Sequence, residues 1–187
     1  DLILDFFAGS GTTGHAVMAQ NAADEAKRRF ILVQLPEALD EHDEEHKASI
    51  EVCRASGRPE NLVELAKERL IRSAKKVRSE NSEWEGDTGF RTLKLAHSNI
   101  RPWVANTSDV AASLLGQLDH VDPGRNSDDV LHELLLKLGL DLCVSVLVRT
   151  IAGKTVQAVG GGVLTVCLDK VINVDEAEPL ALGIVAW

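Results

Sequence analysis

The order of apolar and polar positions divides this chain into a helix-and-strand first part and a strand-richer second part. Leu2-Ile3-Leu4 is a short apolar run that ends at Asp5, and past the glycines of Ala8-Gly9-Ser10-Gly11 the pattern becomes helical over residues 12–21. A polar loop with Asp24 and Lys27 leads to a second strand at 30–34, which Pro36 stops. These elements predict a β-α-β unit with a right-handed crossover. Residues 40–48 are strongly charged, 49–54 form a short helical or irregular piece, and Gly57-Arg58-Pro59-Glu60 punctuates the chain. Residues 61–80 predict a long amphipathic helix, with Leu62, Leu65, Ala66, Leu70 and Ala74 along one side.

The second part begins after a polar stretch. A strand is expected near 90–95 and a loop-rich region over 105–127, with a short helix at 110–118. A further helix follows at 128–138, capped by Ser127 or Asp128. Residues 142–149, 155–159 and 163–168 read as strands, the last two joined by Gly160-Gly161-Gly162. Residues 180–187 are an apolar end. The expected organisation is therefore α/β: a partial Rossmann-like unit over 1–80, a linker over 81–89 and a smaller α+β subdomain over 90–187.

Composition narrows the possibilities. With 44% hydrophobic and 26% charged residues, the 187-residue chain matches a soluble globular protein. No apolar run approaches the roughly 20 residues of a membrane span, so no membrane partner is expected, and residues 1–17 lack the basic front of a signal peptide. Cys53, Cys143 and Cys167 are odd in number and far apart, which points to free thiols in a reducing cytoplasm. The net charge of −9 argues against this chain gripping DNA by itself, because duplex binding draws on cations that displace phosphate counterions. Lys67, Arg69, Arg72, Lys75, Lys76 and Arg78 concentrate basic charge on one helix, which reads first as a solvated face.

The glycine turn carries the chemistry. A strand that turns into a helix through glycines brings backbone close to a ligand and aims free N–H groups at it. No lysine follows Gly14, which excludes a phosphate loop. Gly9, Gly11 and Gly14 do satisfy Gly-x-Gly-x-x-Gly, so a nicotinamide dinucleotide is an open alternative on spacing alone. That alternative calls for a carboxylate at the end of the second strand, where this chain has Gln34, with Glu37 three residues on.

Asp5-Phe6-Phe7-Ala8-Gly9-Ser10-Gly11-Thr12-Thr13 resembles motif I of the amino-methylating DNA methyltransferases. Residues 28–37, 68–76, 87–91, 98–103, 128–137 and 150–156 look, in order, like segments of the Mod subunit of type III restriction–modification systems. The resemblance implies the C-terminal part of an adenine-N6 DNA methyltransferase with a Rossmann-like fold that uses S-adenosylmethionine. It implies that the turn from Asp5 to Thr13 cradles the methionine part. Asp5 would face the cofactor's ammonium, Thr12 and Thr13 its carboxylate, and Gln34 or Glu37 the ribose. It also implies DNA as substrate through the intact protein, a restriction (Res) subunit as partner, a Mod homodimer and a cytoplasmic location.

The catalytic Asp/Asn-Pro-Pro-Tyr of such enzymes has no counterpart, since the chain has no tyrosine and no Pro-Pro. No catalytic residue is therefore assigned, and this chain alone is expected not to methylate DNA. A non-catalytic remnant acting as an interaction module is the other alternative. His42-Asp43-Glu44-Glu45-His46 has the spacing of a helical zinc motif, but its run of acids reads as solvated surface, and no metal site is assigned. Trp84, Trp103 and Trp187 read as core or interface residues rather than base-stacking platforms, with residues 99–103 as a strap. The apolar strands from 142 to 168 and the apolar end suggest an interface between subunits or domains.

Overall fold

The computed structural model describes residues 1–101 and 121–187, so the expected helix at 110–118 and Trp103 lie outside the described residues. The fold is mixed α/β with two small sheets, and it divides into two compact units, Asp1–Phe90 and Arg91–Trp187.

In the first unit, β1 (Leu2–Asp5) pairs in parallel with β2 (Arg29–Leu32), and α1 (Thr12–Asp24) connects them. Leu4 faces Ile31 across the pair and Asp5 faces Leu32. The ladder continues past the strands: Val33 N–H donates to Asp5 O at 2.8 Å, and Ala8 N–H to Val33 O at 3.2 Å. The second strand thus starts and stops earlier than the apolar run suggests, while Val33 still pairs.

Asn21, buried near the end of α1, fixes the return. Its amide donates to Arg28 O and its Oδ1 accepts from Arg28 N–H, which satisfies two backbone groups of the turn. Two further helices complete the unit, α2 (Lys47–Ala55) and α3 (Leu62–Glu80). Asn61 caps α3 by accepting from Glu64 N–H at 2.9 Å. The apolar side of α3 packs Leu70 and Val77 with Met18 of α1 against Phe30 and Leu32 of β2, while Leu62 and Leu65 join Leu39, Ile50 and Cys53. Burial in that second cluster pushes the Cys53 thiol pKa up.

Residues 81–89, expected as a linker, take part in this packing. Trp84 and Phe90 lie against the Met18–Leu70–Val77 cluster, and Arg78 Nε donates to Thr88 Oγ1 at 2.8 Å. The strand expected at 90–95 does not form: among the described residues the segment has no ladder partner, and Arg91 instead donates its guanidinium to Leu142 O and Val144 O.

The second unit contains α4 (Ser127–Lys137), the antiparallel sheet β3 (Val146–Ile151), β4 (Lys154–Val159) and β5 (Leu164–Cys167), and α5 (Val174–Val185). The cap of α4 is Asn126, not Ser127 or Asp128. Its Oδ1 accepts from Asp129 N–H, and the Asp129 carboxylate accepts from Asn126 N–H, a reciprocal capping box.

Register then assigns the faces. Val146 faces Val159 and Leu164 follows opposite, placing all three on the side where Leu131 and Leu135 of α4 pack. Leu147, Ala158 and Thr165 occupy the other face, beneath Ile184 and Trp187. Trp187 covers the Arg149 guanidinium at 4.8 Å, and Lys154 pairs with Glu176 at 2.9 Å. Helices on both faces explain why β4, the central strand, is buried at four consecutive positions.

Sequence pattern alone missed α5, because Pro179 sits inside it. The helix is secured at its start by the Glu176 carboxylate, which accepts from Asn173 N–H at 2.7 Å, and by packing at Leu180.

Ser98 and the buried Asn99 fasten their segment to α4. The Glu133 carboxylate accepts from Ser98 Oγ and Asn99 N–H, and Asn99 Nδ2 donates to Asp129 O. The Lys137 ammonium, the Ser98 hydroxyl and the Asn99 N–H hold the Glu133 carboxyl down at about 2, against a usual 4.5 and despite burial. A depressed carboxyl contributes stability that is present above its unfolded pKa and lost as pH falls through the folded one. Glu133→Gln should therefore cost about 1–3 kcal/mol near neutral pH, with the gap to wild type closing as pH drops from 4.5 towards 2. Urea midpoints followed across that range check this; a gap independent of pH would contradict it.

Candidate functional site

Everything expected between Asp5 and Thr13 lies on one strand–turn–helix segment. Asp5 ends β1 and both oxygens of its carboxylate help shape the turn: Oδ1 accepts from Phe7 N–H at 3.1 Å and Oδ2 from the Thr13 hydroxyl. Each carboxylate oxygen can accept more than one hydrogen bond, so capacity for a cationic ligand group remains. Phe6 and Phe7 are exposed, at 61% and 84%, with their rings 5.1 Å apart. Ala8 is buried and its carbonyl accepts from Gly11 N–H at 2.8 Å, which closes the turn around Gly9 and Ser10.

Three glycines act in different ways. Gly9 and Gly11 have φ of +52° and +80°, the left-handed region that L side chains rarely adopt. A Cβ on Gly9 would meet nothing within 4 Å, so open space lies over the turn. At Gly11 a Cβ would stand 3.4 Å from Ala66 of α3, and at Gly14 one would stand 2.7 Å from Leu70 Cδ2 and 3.0 Å from Leu32 Cδ1. Gly14 thus lets α1 pack against α3 and β2.

Gly11 is the N-cap of α1 and offers no side chain. The first turn has no acid and no side-chain cap, so its leading N–H groups keep their hydrogen-bonding capacity. Together with Asp5, this gives a short surface able to meet both signs of charge.

Gln34 joins the turn from the end of β2. Its Oε1 accepts from Gly9 N–H at 2.9 Å, and its Nε2 donates to Leu35 O at 3.2 Å. Glu37 is exposed; its backbone N–H goes to Leu35 O and its carbonyl accepts from Leu62 N–H. Of the two residues expected at the ribose, the structure thus brings Gln34 to the turn.

Arg69 was not anticipated there. It reaches over from α3 to donate from Nη1 to Thr12 Oγ1 at 2.9 Å, across 57 residues of sequence. The one sequence signal was its place on the same helix as Ala66 and Leu70, three residues after one and directly before the other.

The remaining cations of α3 are largely accounted for: Lys67 pairs with Glu64, Arg72 with Glu68 and Lys76 with Glu80. Residues 41–46 form turns and not the helix that a zinc motif requires, with His46 Nδ1 accepting from Asp40 N–H. Among the described residues no cluster of three or more His, Cys, Asp or Glu could hold a metal.

No protein-family model matches the chain. The Mod subunit of the type III restriction–modification enzyme StyLTI from Salmonella typhimurium is 39% identical over 95 residues, 51% of this chain and 13% of that protein. The Mod subunit of EcoP15I from Escherichia coli is 36% identical over 94 residues, 50% of this chain and 12% of its own length. Half of this chain is similar to type III Mod subunits. The resemblance to Mod subunits is thereby shown, over a shorter span than the ordered series of motifs suggests and over a small part of the relatives' length. Among the described residues, no helix is long and apolar enough to cross a membrane.

The packing makes a prediction that needs no ligand. Gly14→Val should lower stability by about 1–3 kcal/mol through overpacking against Leu70 and Leu32. Equilibrium urea unfolding measures it, and an unchanged midpoint would contradict the close approach.

Proposed function

We propose that this chain carries the S-adenosylmethionine-binding part of a type III Mod subunit, an adenine-N6 DNA methyltransferase. The observation that carries the reading is the Asp5–Thr13 turn, set between a parallel strand and an uncapped helix in a chain similar to two Mod subunits. The residues present fit the cofactor. Open space lies over Gly9, Asp5 offers a carboxylate for an ammonium, the α1 N-terminus offers N–H groups for a carboxylate, and Phe6 and Phe7 offer apolar surface. Ala8, Ser10 and Gly11 supply the backbone curve, Thr12 and Thr13 open the helix, and Gln34 or Glu37 meets the ribose.

When bound, the cofactor supplies an activated methyl group. This chain's own residues bind and orient it, which is a contribution of positioning. The chemistry on the base falls to a catalytic motif in another part of the parent protein, since no Tyr and no Pro-Pro occur here. DNA, a Res subunit and a second Mod chain are the proposed partners of the whole cytoplasmic enzyme. Free Cys53, Cys143 and Cys167 suit a reducing compartment.

The first unit also supports a place in a larger Rossmann-like sheet. Leu2, Leu4, Phe6, Ile31, Val33 and Leu35 are all exposed, whereas parallel sheets are ordinarily covered on both faces.

Calorimetric titration with S-adenosylmethionine, S-adenosylhomocysteine and NAD tests the reading. Binding of the first two without NAD is expected, with Asp5→Ala weakening both by about tenfold or more, as for loss of a charge-assisted hydrogen bond. Binding of NAD alone would overturn it.

A further inference from the structure

Thr12 and Thr13, adjacent at the start of α1, each hold a charged side chain of opposite sign. The Thr13 hydroxyl donates to the Asp5 carboxylate, and the Thr12 hydroxyl accepts from the Arg69 guanidinium. One anion and one cation are therefore tethered to consecutive residues of the same turn.

The cation is the unusual member. Arg69 has no carboxylate within 4 Å among the described residues. The nearby acids of its own helix are already engaged: Glu64 by Arg58 and Lys67, and Glu68 by Arg58 and Arg72. Its position is dictated by packing, because Gly11 lets Ala66 approach and Arg69 follows less than one helical turn later. The guanidinium thus lies beside the positive end of α1, whose first turn has neither an acid nor a side-chain cap. A cation is disfavoured at that end of a helix, and an anionic group placed there answers both charges.

We infer that Arg69 anchors the carboxylate of the ligand's amino-acid group while Asp5 takes its ammonium, so that the turn selects an α-amino-acid zwitterion. This rests on the reading that the turn holds S-adenosylmethionine. Thr12 and Thr13 are then positioning residues that aim the two charges, and the carboxylate contact passes from the threonines to Arg69. The pair also discriminates: a pyrophosphate would meet Arg69 favourably but would be repelled by Asp5, which disfavours dinucleotides at the same turn.

The test is titration of the full 187-residue chain, wild type against Arg69→Gln and Arg69→Lys. The probes are S-adenosylhomocysteine and 5′-methylthioadenosine, which lacks the amino-acid group. Arg69 is exposed, so the variants should keep the wild-type far-ultraviolet circular dichroism. Arg69→Gln is expected to weaken S-adenosylhomocysteine by about tenfold to a hundredfold and to leave 5′-methylthioadenosine unchanged, with Arg69→Lys in between. Unchanged S-adenosylhomocysteine affinity in Arg69→Gln, or equal losses for both probes, would overturn the inference and leave the cofactor reading standing. A wild-type chain that binds neither probe would overturn both.

Discussion

The first unit depends on one close approach, that of α3 to the start of α1. Gly14 has no side chain where Leu70, Leu32 and Phe30 converge, and Gly11 has none where Ala66 arrives. Those two absences let a 19-residue helix lie against the strand–turn–helix segment, and the Met18–Leu70–Val77 cluster fills the space behind it. Close-packed protein interiors leave little freedom for relative movement. The turn from Asp5 to Thr13 is accordingly held from three directions: by β1, by Gln34 at the end of β2, and by Arg69 on α3.

The same constraint sorts the polar chemistry. Asp5 is not left to point freely; Phe7 N–H and the Thr13 hydroxyl fix both of its oxygens. Gln34 performs a comparable task for Gly9, whose N–H would otherwise need another acceptor. An amide at this position can accept from the turn and donate onward at once, which a carboxylate cannot do. The departure from an acid at the strand end therefore has a local structural use, quite apart from any ligand.

What could be read from sequence follows the range of the interactions involved. The β-α-β order, the amphipathic α3 and the β4–β5 hairpin were legible because periodicity and glycines are local signals. Asn126 was passed over as a cap because Ser127 and Asp128 are equally good capping types, and only the reciprocal bond with Asp129 decides among them. The strand expected at 90–95 had the right composition but, among the described residues, no neighbour to pair with, whereas α5 formed despite Pro179 because tertiary packing outweighs a single missing donor. Within the site, the contiguous run from Asp5 to Thr13 and the candidate Gln34 can be named from sequence, whereas Arg69 and the bonds that tie both side chains to the turn cannot. Gln34 and Arg69 reach the turn across 25 and 57 residues, and no spacing rule encodes such contacts.

The two sheets differ in how they are finished, and the difference bears on function. In the second unit α4 and α5 cover opposite faces of β3–β5, so that Val156 and Val159 of the middle strand are buried side by side with Gln157 and Ala158. In the first unit α1 and α3 cover one face of β1–β2, while Leu4, Phe6, Ile31 and Val33 remain exposed on the other. Burial of apolar area is worth roughly 25 cal/mol per Å², so a contiguous strip of large side chains is costly to leave in water. The turn stands at the end of that strip, with Phe6 and Phe7 at its margin.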